Sequence, residues 1–503
     1  MRAILGARER GETIFIHGDY DADGVTSATI FTHFLTRVGC NVIVHVPHRI
    51  KEGYGVHANA VDAAIRAGTK LFVTCDCGVS ANEQVERAIA AGMDVVVTDH
   101  HLPPESLPRA KAVIDAHRPD STYPFQELSG AGVVYRFCEG LARELEQPVH
   151  KYREAYADLA AIGTIADVMP LQDENRVIAH FGSQRLSETR RKGLVALLRE
   201  SRLIEKPRLT ARDIGFMIGP RINAAGRIDD AARALDLLLQ NDELEAAKIA
   251  SEIEGINTAR KELQNDTERE AIEMVLEGGL EDRFVIVVGS ETWHPGVIGL
   301  VAGRLVERFR RPAVVMSIDR EKQIARGSCR SIHGFHLGDS LTALSHLLSG
   351  GGHALAAGFS ADATNISKIA DAFHEYALGV LSAEDFIPVY EVDVEVEGRE
   401  VNLASVTEFS KLEPFGASNP EPTLFCRNVE ILQVMTTKNP NVVRLRLRPP
   451  GGQIFYGISF RNGEEILNMG SSFLADLVFR PVLDEYNGRV SVKWNVEHLE
   501  RVN

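Results

Sequence analysis

The sequence predicts an α/β protein in which two α/β domains are joined by a long helix and followed by a C-terminal all-β barrel. Three observations predict this fold class. Apolar strand-like runs alternate with helical segments from residue 13 to about 115, which is typical of βαβ units and a parallel sheet. One helical pattern continues from Asp242 to Gly278, and after Pro388 short alternating strands with turns take over.

In the first segment each strand-like run is rich in β-branched or aromatic residues, and most are followed by helical spacing. In chain order the segments are ETIFIH, a helix through VTSATIFTHFLTRVG, NVIVHVP, a helix through ANAVDAAIRAG, KLFVTC, ANEQVERAIAAG, DVVVTDHH and AKAVIDA. The N-terminus is expected to run straight into the first strand. A more helical stretch then reaches about residue 205.

The long helix has an apolar stripe and charged residues elsewhere, a pattern that commonly bridges two domains. The stripe consists of Leu244, Ala247, Ile249, Ile253, Ile256 and Leu263. A second α/β segment begins at RFVIVVGS and ends near residue 380. The predicted domains are 1–205 and 280–385, both α/β, with a helical connector at 206–279 and the barrel at 386–503.

Composition limits the class of protein. The 503 residues are 44% hydrophobic and 25% charged, as in an ordinary globular protein of about three domains. A formal charge of -15 argues against a generally basic coat for nucleic acid. There is no membrane-length apolar run and no signal-peptide core, so we expect a cytoplasmic protein without a membrane partner. The six cysteines form no CxxC pair and are expected to be reduced.

The stretch HGDYDADG begins like a calcium-binding EF-hand loop, with Asp19, Asp21 and Asp23 at alternate positions. An EF-hand loop ends on a bidentate glutamate and lies between two helices. Here the last loop position is Ile30, and a strand precedes the loop. The aspartates therefore lie on a strand-to-helix connection, where an open α/β sheet binds its ligands.

Three further clusters fall at element ends, namely CDCG with Asp76, TDHH with Asp99, and IADV with Asp167. Any one of them could be an ordinary turn or helix cap. Together they indicate a metal site, because three strand ends of one parallel sheet meet at the same edge. Mixed histidine and carboxylate ligands suit Mn²⁺ or Mg²⁺. Two ions about 4 Å apart, with Asp76 between them, would activate water for attack on phosphorus.

These motifs, with GGGHALAAG in the second α/β segment, resemble the DHH phosphoesterase superfamily and its DHHA1 domain. Four others, PRINAAGR (220–227), WHPGVIGLVAGR (293–304), GSCRS (327–331) and LEPFGASNPEP (412–422), resemble the RecJ family of bacterial single-strand DNA exonucleases. The resemblance covers nearly the whole chain. It implies 5′-to-3′ degradation of single-stranded DNA to mononucleotides with two Mn²⁺ or Mg²⁺ ions, in DNA repair and recombination.

The resemblance also implies residue roles. One ion would be held by His17 and Asp21, and the other by Asp23, His100 and Asp167, with Asp76 bridging the two. Asp19 and Asp99 would orient these ligands, and His101 would lie near the scissile phosphate. The resemblance implies the ligand role least strongly for His17, because family members do not all carry histidine there. The alternative role of His17 is a packed residue at a strand end.

Substrate contacts are implied for a second set of residues. The phosphate would be bound by Gly351, Gly352 and His353, although glycines followed by a histidine could equally form a tight turn into a helix. Arg49, Ser328 and Arg330 are expected to form a 5′-phosphate pocket, with Arg326 and Ser331 from the same segment. The alternative for each arginine is a surface ion pair. Asn223 and Arg227 of PRINAAGR complete the predicted substrate-binding set.

In the barrel, Arg444, Arg446 and Arg448 alternate with leucines, so the three guanidiniums share one strand face. Phe455, Tyr456 and Phe460 belong to the next predicted strand. Basic strands with nearby aromatics are typical of an OB-fold surface for single-stranded nucleic acid. A solvated strand face beside ordinary core aromatics would give the same pattern.

Two other functions stay open at this point. One is a phosphoesterase of the superfamily that acts on oligoribonucleotides, nucleotide bisphosphates or cyclic dinucleotides; those enzymes are usually shorter and lack the LEPFGASNPEP module. The other is a non-catalytic DNA-binding scaffold. The family implies a helicase and a single-strand-binding protein as partners of a monomer. Its chains usually carry a further segment before the first strand, where about a dozen residues stand here, so a truncated or late-assigned start is expected.

Overall fold

The computed structural model describes residues 1–49, 51–486 and 489–502. They form two compact units, Met1–Pro388 and Val389–Asn503. The first unit contains two sheets with helices and the second contains a barrel, so the predicted fold class is confirmed. In the described part of the chain, no helix is long and apolar enough to cross a membrane.

The first sheet has five parallel strands in the order β2-β1-β3-β4-β5. Its strands are β1 (Thr13–Gly18), β2 (Asn41–His45), β3 (Leu71–Cys75), β4 (Asp94–Thr98) and β5 (Ala112–Ile114). The chain goes from β1 to β2 on one side and then crosses to β3 on the other. The loops after β1 and β3 therefore open into the crevice at which the strand order reverses, where such sheets bind ligands.

Eight helices precede, interleave with and follow these strands: α1 (Arg2–Glu9), α2 (Ala22–Arg37), α3 (Ala58–Arg66), α4 (Asn82–Ala90), α5 (Gly130–Glu144), α6 (Val149–Ala166), α7 (Asp173–Ser187) and α8 (Lys192–Glu200). The expectation that the chain runs straight into β1 was wrong, because α1 precedes it. Only Ile4 and Ala7 of α1 are buried, a pattern too short to stand out in the sequence. Helix α2 is buried on nearly all sides because α5 and α6 pack against it.

The connector consists of α9 (Ala211–Asp213), a π-helical turn (Ile214–Ile218), α10 (Gly219–Ile228), α11 (Ala232–Leu239) and α12 (Glu243–Glu277). Helix α12 is 35 residues long, close to the predicted span from Asp242 to Gly278, and is capped by Asp242. Ala250 and Ile253 belong to the core of the first sheet domain, whereas Ala271 and Val275 belong to that of the second. The predicted stripe was partly wrong, since Leu244 is 81% exposed.

The second sheet is mixed, in the order β6-β7-β8-β10-β9. It comprises β6 (Ile286–Ser290), β7 (Ala313–Asp319), β8 (Ile324–Arg330), β9 (Leu348–Gly352) and β10 (Ala356–Asp362), with α13 (Ile298–Phe309), α14 (Leu337–Ala343) and α15 (Ile366–Leu378). The triple glycine lies on the edge strand β9 and not in a turn. Gly350 is required there, because a Cβ would lie 2.3 Å from the Gly358 carbonyl oxygen.

The second unit closes into a barrel because β12 pairs with both β13 and β15. Its elements are β11 (Val394–Glu395), α16 (Leu403–Phe409), β12 (Leu424–Thr436), β13 (Val443–Arg448), β14 (Phe455–Ser459), α17 (Gly463–Asn468), β15 (Phe473–Tyr486) and β16 (Arg489–Arg501). In β13 the arginines are exposed and the leucines are buried. Phe455 is a core residue, Tyr456 is exposed, and Phe460 follows the end of β14.

Candidate metal centre

The loop after β1 places three aspartates at the mouth of the crevice. Asp21 caps α2, its Oδ1 accepting hydrogen bonds from the backbone amides of Asp23 (2.9 Å) and Gly24 (3.0 Å). Gly24 permits this tight turn, because a Cβ there would lie 2.5 Å from the Asp19 carbonyl oxygen. Asp19 and Asp23 are buried. The capping geometry therefore fixes the carboxylates within a single helical turn.

Asp23 is held by the N-terminus of α5, more than a hundred residues away in the chain. Its carboxylate accepts hydrogen bonds from the amides of Gly130 (2.6 Å) and Ala131 (2.9 Å). Ser129 caps the same helix through the Gly132 amide. Backbone amides that have no partner within their own helix, together with the helix dipole, favour an anion at this position.

Two helix glycines, neither of them among the residues predicted from the sequence, make room for the carboxylates. A Cβ on Gly130 would lie 2.5 Å from Asp76 Oδ1, and one on Gly163 of α6 would lie 2.4 Å from Asp23 Oδ1. Glycine inside a helical pattern costs stability, so it often marks a close approach. The signal that the sequence offered for these two positions was a glycine within a helical pattern, Gly130 in SGAGV and Gly163 in AAIGT.

The ends of β3 and β4 contribute Asp76 and His100. Asp76 has a φ of 60°, and its amide donates to the Thr98 carbonyl at 3.1 Å. His100 Nε2 lies 3.0 Å from Asp76 Oδ1, 3.7 Å from Asp167 Oδ2 and 3.8 Å from Asp23 Oδ2. The residues predicted at three strand ends and at the end of α6 therefore lie in one cluster.

Asp99 orients the two histidines that follow it. Its Oδ1 accepts from the His100 amide and from His101 Nδ1, both at 2.8 Å, and its Oδ2 accepts from the Val79 amide at 2.8 Å. The His101 ring also packs edge-on against Tyr54, with ring centroids 5.5 Å apart. Nδ1 of His101 is thus engaged by Asp99.

The buried carboxylates of the cluster raise one another's pKa values, a repulsion that bound cations would relieve. Burial, reinforced by the neighbouring carboxylates, raises the pKa of Asp23 to about 7 and raises the pKa of Asp19, Asp76 and Asp167 well above the usual value. Burial also lowers the pKa of His100 to about 3. Although burial opposes it, the hydrogen bond that His101 donates to Asp99 raises the pKa of His101 to about 9.

The donor set fits divalent ions. Asp19 Oδ1 is buried without a hydrogen-bond partner among the described residues, and Asp76 Oδ1 is buried with His100 Nε2 3.0 Å away. Within the part of the chain that the structure describes, three groups have ligand atoms within 4.8 Å of one another: Asp76 with His100 and His101, Asp23 with His100 and Asp167, and Asp19 with Asp21 and Asp76. Asp76 belongs to two of the groups. Carboxylate oxygens with imidazole nitrogen suit Mn²⁺, and carboxylates also suit Mg²⁺.

His17 is absent from these three groups of described residues. It is fully buried, with Nδ1 3.1 Å from His45 Nδ1 and Nε2 3.2 Å from the Gly55 carbonyl oxygen. Burial, together with the nearby His45, lowers its pKa to about 3. The structure therefore places it beside the cluster with both ring nitrogens engaged.

A group of arginines lies next to the aspartates. The Arg49 guanidinium stands 5.0 Å from the ring centroid of Tyr20, between Asp19 and Asp21 in sequence. Burial, together with the positive charge of nearby Arg49, lowers the pKa of Arg227 to about 10. Burial also lowers the pKa of Arg330. Among the described residues none of these three arginines forms an ion pair with a carboxylate, so the group is suited to bind an anion.

Most of the remaining predicted substrate residues lie in or next to strands β8 and β9 of the second sheet. Arg326, Ser328 and Arg330 alternate with buried residues along β8, so they share one face. Ser331 donates through Oγ to the Phe335 carbonyl at 2.7 Å. Gly351 borders open space and His353 is exposed.

Asn223 of α10 contacts the start of α2. Its Oδ1 accepts from the Ala22 amide at 2.7 Å, which supports the aspartate loop. Its carboxamide oxygen is therefore used by the protein itself.

Comparison with known proteins extends over the whole chain. Residues 13–164 match the family model of the DHH family N-terminal domain, residues 282–378 the DHHA1 domain and residues 392–498 the RecJ OB domain. The single-stranded-DNA-specific exonuclease RecJ of Bacillus subtilis is 39% identical over 97% of the chain, which spans 61% of that relative. RecJ of Dickeya dadantii is 34% identical, with 99% of this chain and 89% of the relative covered.

Solved structures agree with the sequence matches. RecJ from Thermus thermophilus in complex with Mn²⁺ aligns with a TM-score of 0.84 at 28% identity, covering all of this chain and 71% of that one. A structure of exonuclease RecJ bound to manganese aligns with a TM-score of 0.64 at 34% identity, covering 75% of this chain and 93% of the other. The chain, with its DHH, DHHA1 and RecJ OB domains, therefore belongs to the RecJ family of single-stranded-DNA-specific exonucleases.

Proposed function

We propose that this chain is a divalent-metal-dependent exonuclease that degrades single-stranded DNA from its 5′ end and releases mononucleotides, in DNA repair and recombination. One observation carries the proposal. A buried cluster of carboxylates with raised pKa lies beside arginines without ion-pair partners among the described residues. A cation site for hydrolysis and an anion site for a phosphate are therefore adjacent. The domains that we propose are 1–205, 206–279, 280–385 and 386–503.

Mn²⁺ or Mg²⁺ would be held in two positions that share Asp76. Asp23, His100 and Asp167 would form one position, and Asp19 and Asp21 the other, so that Asp19 takes the ligand place that the resemblance implied for His17. Structures of relatives in complex with Mn²⁺ and with Mg²⁺ support this choice of ions. Bound there, such ions activate a water and stabilise the oxygens of an in-line displacement at phosphorus. The protein fixes the ligands through the α5 amides and through Asp99.

His101 supplies a proton donor at the scissile phosphate. In the metal-free protein, a pKa of about 9 keeps its ring protonated at neutral pH. Asp99 accepts from Nδ1, so Nε2 is the nitrogen that can donate to a phosphate oxygen. A protonated imidazole would stabilise negative charge on that oxygen.

The 5′-phosphate would be bound by Arg49, Arg227, Arg330 and Ser328. A Cβ on Gly299, at the start of α13, would lie 2.8 Å from Ser328 Oγ and 3.5 Å from Arg330 Nη2, so both side chains reach the same helix end. Helix N-termini favour phosphate. Arg326, Ser331, Gly351, Gly352 and His353 would contact the following nucleotide.

In the barrel, a basic and aromatic face would bind the single strand. Tyr456 is exposed and pairs in register with Arg446 of β13 and with Lys493 of β16. Arg444 is exposed on the same strand face as Arg446. Arg448 is bound by Glu430, with Nη2 and Oε2 2.6 Å apart, and is less free to contact a phosphate. A helicase and a single-strand-binding protein are the proposed partners of a monomeric enzyme.

Replacing Arg444 and Arg446 with alanine is expected to weaken binding of single-stranded DNA and to flatten its salt dependence. Each lost phosphate contact reduces the slope of log K against log[salt] by about 0.7 for a single strand, so the double variant should lose about 1.4. Fluorescence anisotropy over a salt series measures both. Arg448→Ala is the matched control and should change the slope less. An unchanged slope in the double variant would mean that the strand binds elsewhere.

The activity is tested by time courses with Mn²⁺ on four substrates: a 5′-phosphorylated single strand labelled at its 3′ end, the same strand labelled at its 5′ end, a duplex and a diribonucleotide. The 5′ label should appear in mononucleotide at once, while the 3′-labelled strand shortens gradually and the duplex is spared. Cleavage of the diribonucleotide alone would instead assign an oligoribonucleotide-degrading activity. Failure to cleave any of the four would refute the exonuclease proposal for this chain.

A further inference from the structure

Two stacked histidines lie under the aspartate loop. His17 and His45 are register partners on neighbouring parallel strands, and their rings are stacked with centroids 5.3 Å apart. Phe72 of β3 stacks on the other side of His17 at 6.1 Å. The ring of His17 is therefore fixed on both faces by the sheet.

Both nitrogens of His17 are used within the protein. The Gly55 carbonyl oxygen can only accept, so Nε2 of His17 carries the hydrogen of that 3.2 Å contact. Nδ1 shares the second hydrogen bond, at 3.1 Å, with His45 Nδ1. A metal ion could take neither nitrogen without breaking one of these bonds.

The Gly55 carbonyl anchors the loop that leaves β2, which we call the anchored loop (residues 46–49 and 51–57). The loop has its own short-range bonds. Glu52 accepts from the His48 amide at 2.7 Å, and the Gly53 amide donates to the Arg49 carbonyl at 3.1 Å. The Tyr54 carbonyl contacts His57 Nε2 at 2.9 Å. His17 of β1 adds a hydrogen bond to the Gly55 carbonyl, next to Val56, which is buried in the core.

The anchored loop carries two side chains to the site. Arg49 lies over the ring of Tyr20, 5.0 Å from its centroid. Tyr54, next to Gly55, packs edge-on against His101. Displacing the loop would therefore withdraw a guanidinium from the proposed 5′-phosphate pocket and remove the aromatic wall of His101.

We propose that His17 is a positioning residue that, with His45, holds the anchored loop against the site and so sets the binding of the 5′-phosphorylated end. This role differs from the metal ligation expected from the sequence. Only the expected change in KM and kcat rests on the proposed exonuclease function.

The test compares His17→Ala and His17→Gln with wild type in the full chain. Glutamine Nε2 can replace imidazole Nε2 as the donor to Gly55 but is a poor ligand for Mn²⁺, so the two roles predict opposite results for it. His33→Ala is the control, since His33 is a half-buried histidine that contacts the Tyr156 hydroxyl at 2.7 Å in the same domain. Three measurements are made: Mn²⁺ titration by calorimetry, trypsin cleavage after Arg49 or Lys51 followed by mass spectrometry, and KM and kcat on 5′-phosphorylated single strands.

We expect His17→Ala to keep the Mn²⁺ stoichiometry of wild type and to be cleaved in the anchored loop about tenfold faster, the effect of one lost buried hydrogen bond. Its KM should rise roughly tenfold while kcat changes less, and His17→Gln should resemble wild type in all three measurements. Loss of one Mn²⁺ equivalent in both variants would overturn the proposal and make His17 a ligand. A wild-type cleavage rate in His17→Ala would also overturn it.

The metal titration and the proteolysis need no nuclease activity. If wild type fails to cleave single-stranded DNA, these two arms still decide the role of His17. Failure of the exonuclease proposal is thus distinguishable from failure of the positioning proposal.

Discussion

Asp76→Asn is expected to reduce nuclease activity at least about 10³-fold while leaving binding of single-stranded DNA intact. The carboxylate belongs to two of the three groups that could hold an ion, and losing several kcal/mol of transition-state stabilisation gives a loss of this size. Binding should persist because the proposed contacts to the strand lie on other residues. Single-turnover rates with saturating Mn²⁺ and fluorescence anisotropy measure the two properties.

The same substitution should stabilise the metal-free protein. Burial and the neighbouring carboxylates raise the pKa of Asp76 well above its usual value, so its ionised form destabilises the folded state. The stability that a protonated Asp76 gives is present below about pH 4 and is lost as the pH rises through its raised pKa. In EDTA at pH 7 the variant should therefore melt about 2–4 °C or more above wild type.

Adding Mn²⁺ should reverse this order, because only wild type binds the full complement of ions and gains stability from them. Asp94→Asn is the matched control, since Asp94 lies at the opposite end of β4 and pairs with Lys111 at the surface. It should leave both the activity and the response to Mn²⁺ unchanged. A lower Tm for Asp76→Asn in EDTA, or retained activity, would contradict the assignment of Asp76 to the metal cluster.

Gly163→Ala is expected to reduce both stability and activity, although alanine favours a helix over glycine by about 1 kcal/mol. A Cβ at this position would lie 2.4 Å from Asp23 Oδ1 and 2.6 Å from both Ala131 Cβ and Thr26 Oγ1. Relieving such overlap costs typically about 1–3 kcal/mol and would displace Asp23 from the α5 amides. Urea unfolding, Mn²⁺ titration and exonuclease rates should all decline together.

Gly255→Ala provides the comparison in another helix. A Cβ on Gly255 of α12 would meet open space, so helix propensity alone should act and the variant should gain up to about 1 kcal/mol. If Gly163→Ala gained stability in the same way and kept its affinity for Mn²⁺, the close approach of α6 to Asp23 would not be needed for the site.

Much of the candidate site follows from sequence because a parallel sheet brings all its carboxyl ends to one edge. Strand-like runs that end in Asp76, in Asp99 with His100, and in the aspartate loop predict a common location without any contact being known. The alternation of arginine and leucine in β13 likewise predicts which side chains are exposed, since side chains in a strand point to opposite faces in turn. Arg448, however, proved to be paired with Glu430 of the neighbouring strand, which spacing alone does not reveal.

The sequence by itself determined the alternation of strands and helices from β1 onward, the residue types at each strand end and the long connecting helix, but not α1. Only the tertiary structure decided how those side chains are used. The α5 amides bind Asp23 across 107 residues of chain, and Gly163 is required by an approach between two helices. The residue type and spacing of His17 are those of a metal ligand, yet its two ring nitrogens form hydrogen bonds with His45 and with the Gly55 carbonyl. Local patterns encode periodicity and chemistry, whereas these choices depend on contacts between segments that only the folded chain brings together.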